Sequence, residues 1–234
     1  MASKGMATVL GLLDGAAPDR ADEVSAAAAA VLGVDGVTAG VGTGPAGVVL
    51  AWGGDTVCAD LENQQFTLGE GPGPDVVEGG MPILVPDLAA AAGRWPMFVP
   101  AAMAAGVRAV FVFPLRIGAI SVGTLLAQRA VPAPLTTARL ADALELADAV
   151  TIALLHRRAA EDRRADRTPA SWSRPSTYRA EVHQATGMIS VQLGVSLAEA
   201  LVRLRARAWG GGRPLAEVAA DVVARRLRFE EARR

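Results

Sequence analysis

Few residues in this sequence could do covalent or metal chemistry. The chain holds two histidines, His156 and His183, and one cysteine, Cys58. A single thiol excludes an internal disulfide framework and any multi-cysteine metal site. Two imidazoles leave little material for a zinc or iron centre, so no metal site is expected. Nucleophilic catalysis needs a base within reach of its Ser or Cys. Both histidines lie in the helical C-terminal half, so no such set is expected to assemble, and no enzymatic activity is expected. Gly69–Gly73 resembles a phosphate loop in composition alone. It lacks the Lys-Ser/Thr pair that follows in a P-loop, and it reads as a turn.

Arginine offers a different chemistry. The net charge of -1 hides an asymmetry: residues 1–150 sum to -8 and residues 151–234 to +7. Such a split suggests two modules, the second of which suits a polyanionic partner or simply solvates its helices. One stretch in that half is unusual. If Val182, Ala185 and Ile189 face a core, helical geometry turns Ala180, His183, Gly187 and Val191 outward. A mid-helix glycine costs about 1 kcal/mol against alanine. A face of small residues lets another backbone come close, either a neighbouring helix or a ligand.

These residues need elements to hold them. The chain has 234 residues, 51% of them hydrophobic, enough for one large or two small domains and against a disordered chain. Residues 18–33 read as a helix stopping at Gly33. Val37–Val41 and Val48–Trp52 read as short strands, and Thr56–Gln64 as a short helix. Leu68–Pro74, with three glycines and two prolines, reads as irregular. Met81–Pro86 is a strand candidate, Phe98–Ala105 a helix, and Arg108–Pro114 and Ser121–Gln128 strongly apolar strands. This mixture predicts an α+β domain with an antiparallel sheet flanked by helices. From Thr136 to about Arg164 the period becomes helical, with Leu140, Leu144, Ala147, Val150, Thr151 and Leu154 on one stripe. Such length suggests a connector or dimer seam. Arg167–Pro175 reads as a linker. Three helices close the chain: Tyr178–Leu193, one capped by Ser196 with Glu199 three residues on, and one starting at Pro214. Each has one apolar face, as a helical stalk leading into an all-α three-helix bundle requires.

No segment reads as membrane-spanning, since Arg108, Pro114 and Arg116 interrupt apolar Ala101–Ala127. Met1–Leu13 echoes a signal peptide only weakly, with no convincing cleavage site and several acids soon after. A cytoplasmic protein is expected, with no membrane partner.

The C-terminal residues resemble a known family. Val182-His-Gln-Ala-Thr-Gly-Met-Ile189, Leu193-Gly-Val-Ser196, Ala198-Glu-Ala-Leu201, Leu204-Arg205, Ala208 and Leu215-Ala-Glu-Val-Ala219 are similar to the ANTAR domain. That module is the RNA-binding output of bacterial antitermination regulators. The resemblance implies an RNA partner of paired stem-loops, whose capture prevents a terminator from forming. It points to Arg179, His183, Gln184, Ala185, Thr186 and Gly187 near loop bases. Arg203, Arg205, Arg207 and Arg213 become phosphate candidates. Arg203 and Arg207 share a helix face, and Arg205 points elsewhere. The family usually has Lys where this chain has Thr186, which removes one phosphate or base contact.

The N-terminal half resembles a GAF sensor domain. The carriers are Phe66-Thr-Leu-Gly-Glu-Gly-Pro72, Val85-Pro-Asp-Leu88, Arg94-Trp-Pro-Met-Phe98, Gly106-Val-Arg-Ala-Val-Phe-Val-Phe-Pro-Leu115 and Gly123-Thr-Leu125. The family fold is a central antiparallel sheet with helices behind and a ligand pocket in front. Several family ligands do not fit. Cyclic-nucleotide members use an Asn-Lys-Phe-Asp-Glu set, and this chain has only Asn63 and Lys4 of the first two types. A histidine-ligated haem has no ligand in residues 1–155. A bilin at Cys58 lacks the usual neighbouring His, and sulfoxide reduction needs more than one Cys. No cofactor is expected. An unidentified small molecule, a protein partner or no ligand remains. Trp52, Cys58, Phe66, Trp95, Phe98 and Phe111 are the pocket candidates, although core packing is the commoner role for each.

The resulting expectation is a GAF-like sensor domain at residues 15–155, a connector helix at 136–165, a linker at 166–176 and an ANTAR domain at 177–230. It describes a signal-responsive, homodimeric RNA-binding regulator. The alternative is a protein-interaction regulator, with a GAF scaffold and a partner-binding or DNA-binding bundle.

Overall fold

The computed structural model describes residues 3–14, 20–42, 49–52, 56–163 and 177–230. The chain falls into two compact units, a sheet domain and a helical bundle. The expected linker lies outside the described residues.

The sheet domain opens with helices α1 (Lys4–Asp14) and α2 (Ala21–Leu32). Helix α2 stops at Gly33, whose φ of 61° is left-handed. Five strands follow: β1 (Gly36–Val41), β2 (Val49–Trp52), β3 (Ile83–Val85), β4 (Ala109–Ile117) and β5 (Ile120–Arg129). They form one antiparallel sheet in the order β2-β1-β5-β4-β3. Between β2 and β4 the chain also forms α3 (Thr56–Leu68), α4 (Pro72–Gly79), a 3-10 turn at Leu88–Ala91 and α5 (Phe98–Ala104). The long helix α6 (Thr137–Arg163) comes last.

Strand alternation divides this domain into two cores. On one face of the sheet, Phe111, Phe113, Leu115 and Leu125 meet Met6, Leu32, Leu146 and Val150 of α1, α2 and α6. On the other, Val110, Val112 and Leu126 meet Cys58, Leu61, Val76, Phe98 and Val99 of α3, α4 and α5.

Helix α1 occupies the stretch that echoed a signal peptide only weakly, and its Met6 and Val9 are buried in the first core. Three expectations are corrected. Helix α3 continues past Gln64 to Leu68. The irregular segment ends at Gly71, because Pro72 opens α4; proline's missing N–H costs nothing at a first helical position. On α6, Leu144 is 42% exposed while Ala143 and Leu146 fill the core. Ile152, two turns beyond Leu144, is also exposed. No single described helix is long and apolar enough to cross a membrane.

The bundle comprises α7 (Thr177–Leu193), α8 (Leu197–Gly210) and α9 (Leu215–Val223). Its core is Val182, Ala185, Ile189 and Leu193 against Ala200, Leu201, Leu204 and Ala208 and against Leu215, Val218, Ala219 and Val222. Ser196 caps α8 by accepting from the Glu199 amide at 3.2 Å. The Glu199 carboxylate turns to Arg203.

Candidate nucleic-acid interface

Helix α7 has one face in the core and one in solvent. Ala180 and Gln184 are exposed, His183 and Gly187 half-buried, and Val191 is 85% exposed. Gln184, Gly187, Met188, Val191 and Gln192 line a shallow, open depression of about 480 Å³. A Cβ built on Gly187 would meet nothing within 4 Å. The glycine therefore serves no packing inside the bundle, and its cost to the helix has no internal return.

Two of the expected contacts are turned away from this face. Ala185 is fully buried, and Thr186 is 6% exposed. The Thr186 hydroxyl donates to the Val182 carbonyl one turn back at 2.7 Å. Its side chain is thus occupied in the helix and offers nothing outward in place of the family lysine. Arg179 lies in α7, but its side chain is outside the described residues.

The arginines of α8 differ in what they already hold. Arg203 pairs with Glu199 across one helical turn. Arg205 is half-buried. Arg213 donates to Asp221 at 2.8 Å and faces Glu217 at 3.6 Å. Asp221 also accepts from Arg226 at 2.9 Å. Hydrogen bonds from Arg213 and then Arg226 hold the Asp221 carboxyl below the ordinary carboxylate value. Arg207 is exposed and makes no ion pair among the described residues. Among Arg203, Arg205, Arg207 and Arg213 it is the cation most available to a phosphate.

The family model of the ANTAR domain matches residues 176–223, which are these three helices. The bundle is an ANTAR domain. The match covers the buried faces of the three helices, the Gly194 and Gly212 turns, and the open face of α7. No curated protein matches the chain.

The pocket candidates of the sheet domain separate. Cys58, Trp95 and Phe98 share the core beneath α3 and α5. Trp95 and Phe98 meet edge to face, with ring centroids 6.4 Å apart. Phe66 is buried in α3. Phe111 lies across the sheet in the other core, because it alternates with Val110 and Val112. Grouping it with Trp95 and Phe98 is therefore corrected. Trp52 sits in β2 with its side chain outside the described residues. Of the five whose side chains are described, Trp95 alone borders the open groove of about 520 Å³ along β3, whose other walls include Leu84, Pro86, Asp87 and Arg94. Its indole donates to Asp75 at 3.2 Å, and the Arg94 guanidinium lies 4.6 Å from its ring.

Sequence reasoning missed a set of buried polar groups. Thr38, Thr124 and Gln128 alternate onto the sheet face that carries Leu126, and all three are buried. Glu62 and Gln65 of α3, a helix that packs on β1 and β5, are buried as well. Gln65 Oε1 accepts from the Gly73 amide at 2.6 Å. Gly71 makes room for it: φ there is 138°, and a Cβ would meet the Gln65 side chain at 2.6 Å. Gln65 Nε2 and the Thr124 hydroxyl have no partner among the described residues. The signal was Thr and Gln at alternate positions of otherwise apolar strands. No group of three or more His, Cys, Asp or Glu among the described residues could hold a metal ion.

Solved structures share this domain's fold. One is the GAF domain of a phosphoenolpyruvate-protein phosphotransferase from Acinetobacter, with a TM-score of 0.52 and 12% identity. It aligns with 66% of this chain and 93% of its own. The corresponding Coxiella burnetii GAF domain has a TM-score of 0.51 and 19% identity, covering 68% of this chain and 99% of its own. A domain of a putative two-component sensor histidine kinase from Sinorhizobium meliloti scores 0.51 at 16% identity, covering 64% and 99%. The sheet domain has the GAF fold, and an ANTAR domain follows it.

Proposed function

We propose that this chain is a cytoplasmic, signal-responsive RNA-binding regulator that acts by transcription antitermination and has no catalytic activity of its own. The observation that carries the reading is the open face of α7 within the matched ANTAR domain. There Gly187 leaves room for a ligand's backbone and nothing inside the bundle fills it. RNA loops expose unpaired bases that can rest on such a face, while arginines around it hold phosphates. On this reading His183, Gln184 and Gly187 meet loop bases and Arg207 meets phosphate. Arg179, Arg203 and Arg213 are secondary phosphate candidates, the last two by exchanging carboxylate partners for RNA. Ala185 and Thr186 support the face from within.

The GAF-fold domain supplies the signal. Gln65 Nε2 and the Thr124 hydroxyl, buried and without a partner among the described residues, suit a small polar ligand inserted between α3 and the sheet. Exposed Leu144 and Ile152 on α6 favour a homodimer through that helix. A dimer presents two ANTAR domains, and two linked stem-loops then bind by avidity. The test is an anisotropy titration of the full chain with an RNA of two linked stem-loops and with each stem-loop alone. The linked RNA is expected to bind at least tenfold more tightly, on the order of the avidity gains seen with short linkers. Equal affinities would exclude paired recognition.

A further inference from the structure

Helix α6 turns one face into the first core and leaves the opposite face in solvent. Ala143, Leu146, Ala147 and Val150 are buried. On the far side Ala141, Leu144, Asp148 and Ile152 are exposed, and Leu155 is half-buried. Helical geometry, at about 100° and 1.5 Å per residue, places these side chains within an arc of about 80° and along about 21 Å. Leu144 is 42% exposed and Ile152 54%, where the solvent face of an amphipathic helix ordinarily carries polar residues. Asp148 lies at the middle of the stripe and is its only charge. The residues one turn away from it are Leu144, Glu145, Thr151 and Ile152, so its own helix offers it no cation. It makes no ion pair among the described residues.

The spacing indicates what covers this stripe. Leu144 and Ile152 each lie four residues from Asp148, and Ala141 and Leu155 each lie seven. Steps of three and four residues hold a seam along a helix. The spacing is also the same from either end, so the stripe is complementary to itself about a two-fold axis. If a second copy runs parallel, each residue meets its twin. If it runs antiparallel, Leu144 meets Ile152 and Ala141 meets Leu155. In both arrangements Asp148 faces Asp148 of the second copy. A nucleic acid does not suit this face, because the one charge on it repels phosphate.

We propose that this stripe is the seam between two copies of the chain, and that the facing Asp148 carboxylates hold the seam weak enough to be switched. This rests on the reading of a homodimer through α6 and adds the device that sets its strength. Bringing two like charges together in a closing seam costs both desolvation and repulsion. A ligand moves an equilibrium only by its difference in affinity for the two states. A seam of aliphatic residues alone would stay closed with or without the signal. A seam opposed by Asp148 sits where a ligand in the GAF-fold domain can shift it.

The experiment is sedimentation equilibrium of the full chain over a range of protein concentrations, at low and moderate salt. Asp148→Asn keeps the size of the side chain and removes its charge. It is expected to tighten the dimer about tenfold or more, and Asp148→Glu, which keeps the charge, to stay within about threefold of wild type. Salt should tighten wild type and Asp148→Glu by screening the repulsion, and should affect Asp148→Asn less. Ile152→Glu, in wild type or with Asp148→Asn, should dissolve the dimer. These positions are exposed, and circular dichroism checks that each variant folds. If Ile152→Glu weakens the dimer but Asp148→Asn leaves it as in wild type, the Asp148 inference is overturned and the homodimer reading stands. If Asp148→Glu tightens the dimer as much as Asp148→Asn does, charge is not what opposes the seam, and the inference is again overturned. If neither Asp148→Asn nor Ile152→Glu changes the state of association, the seam is not on α6, and both readings fail.

Discussion

In the GAF-fold domain, Cys58, Trp95 and Phe98 are closed off between a sheet and its covering helices, whereas in the ANTAR domain Val191 and Trp209 stand in solvent. The first domain has two apolar cores and a polar set sealed within one side of its sheet. The second has one small core of Ala, Val, Leu and Ile with Thr186 buried at its margin, and Trp209 lies outside it. The difference follows from geometry. A sheet covered on both faces turns its central residues inward, so anything bound among them must enter. Three short helices can cover only one face of each helix, so their outer faces remain available to a large partner. Under the proposed function, the first domain would enclose a small ligand and the second would dock on a macromolecule.

The largest expected effect breaks the enclosed side. Phe98→Ala removes a fully buried ring from the core beneath α5 and should cost about 3–5 kcal/mol. Urea unfolding followed by far-UV circular dichroism measures the loss. A cost below about 1 kcal/mol would mean the core is loose enough to collapse around the gap.

Gly187→Leu is the matching test on the open side. It should weaken RNA binding by about 100-fold, roughly 2.7 kcal/mol, by filling the depression. Bundle stability should hold or rise slightly, because leucine is the better helix former and has room. Unchanged affinity in a gel shift would move the interface off α7.

Smaller effects separate the arginines. Arg207→Ala should reduce the slope of log affinity against log salt by about 1, with a modest loss of affinity. The same substitution at Arg203 or Arg213 should change the slope less, since each already holds a carboxylate. Equal slopes for all three variants would dissolve that distinction.

The smallest effect concerns Asp221. Its carboxyl is held below the ordinary value by Arg213 and Arg226, so its stabilising contribution is present above the unfolded-state pKa, about 4. That contribution fades as pH falls through the lower, folded-state value. Asp221→Asn should therefore lower the bundle's melting temperature slightly at neutral pH and match wild type in strong acid. Arg213 and Arg226 are exposed, so high salt should shrink the difference as well. A gap that persists in acid would assign Asp221 a role other than its charge.

Much of this arrangement is legible in the sequence, and the misses have physical causes. Helical period places Val182, Ala185 and Ile189 inward and Gly187 and Val191 outward, as found, because α7 mixes small, polar and apolar residues in clear rotation. The same logic places Thr186 close to the core, one residue past Ala185, although the resemblance draws attention to it as a base contact. Strands β4 and β5 are legible as strands, but their faces are not. Val110, Phe111, Val112 and Phe113 are apolar on both sides, so alternation cannot say which core receives Phe111. Helix α6 is Ala-rich enough to support two overlapping stripes, and packing selects Ala143 and Leu146 over Leu144. Helix α1 commits only Met6 and Val9 to the fully buried core, too short a pattern to read as a core helix from the sequence. The buried Thr and Gln set was overlooked because each member is unremarkable alone, and only the sheet brings them to one face.

The most direct test of the account is an anisotropy titration of the full chain at two salt concentrations. It compares an RNA of two linked stem-loops, a scrambled RNA of equal length and a duplex DNA. The account predicts tight binding to the stem-loop RNA alone, weakened steeply by salt as counterions are released. Equal binding to all three nucleic acids, or binding that salt leaves unchanged, would contradict it.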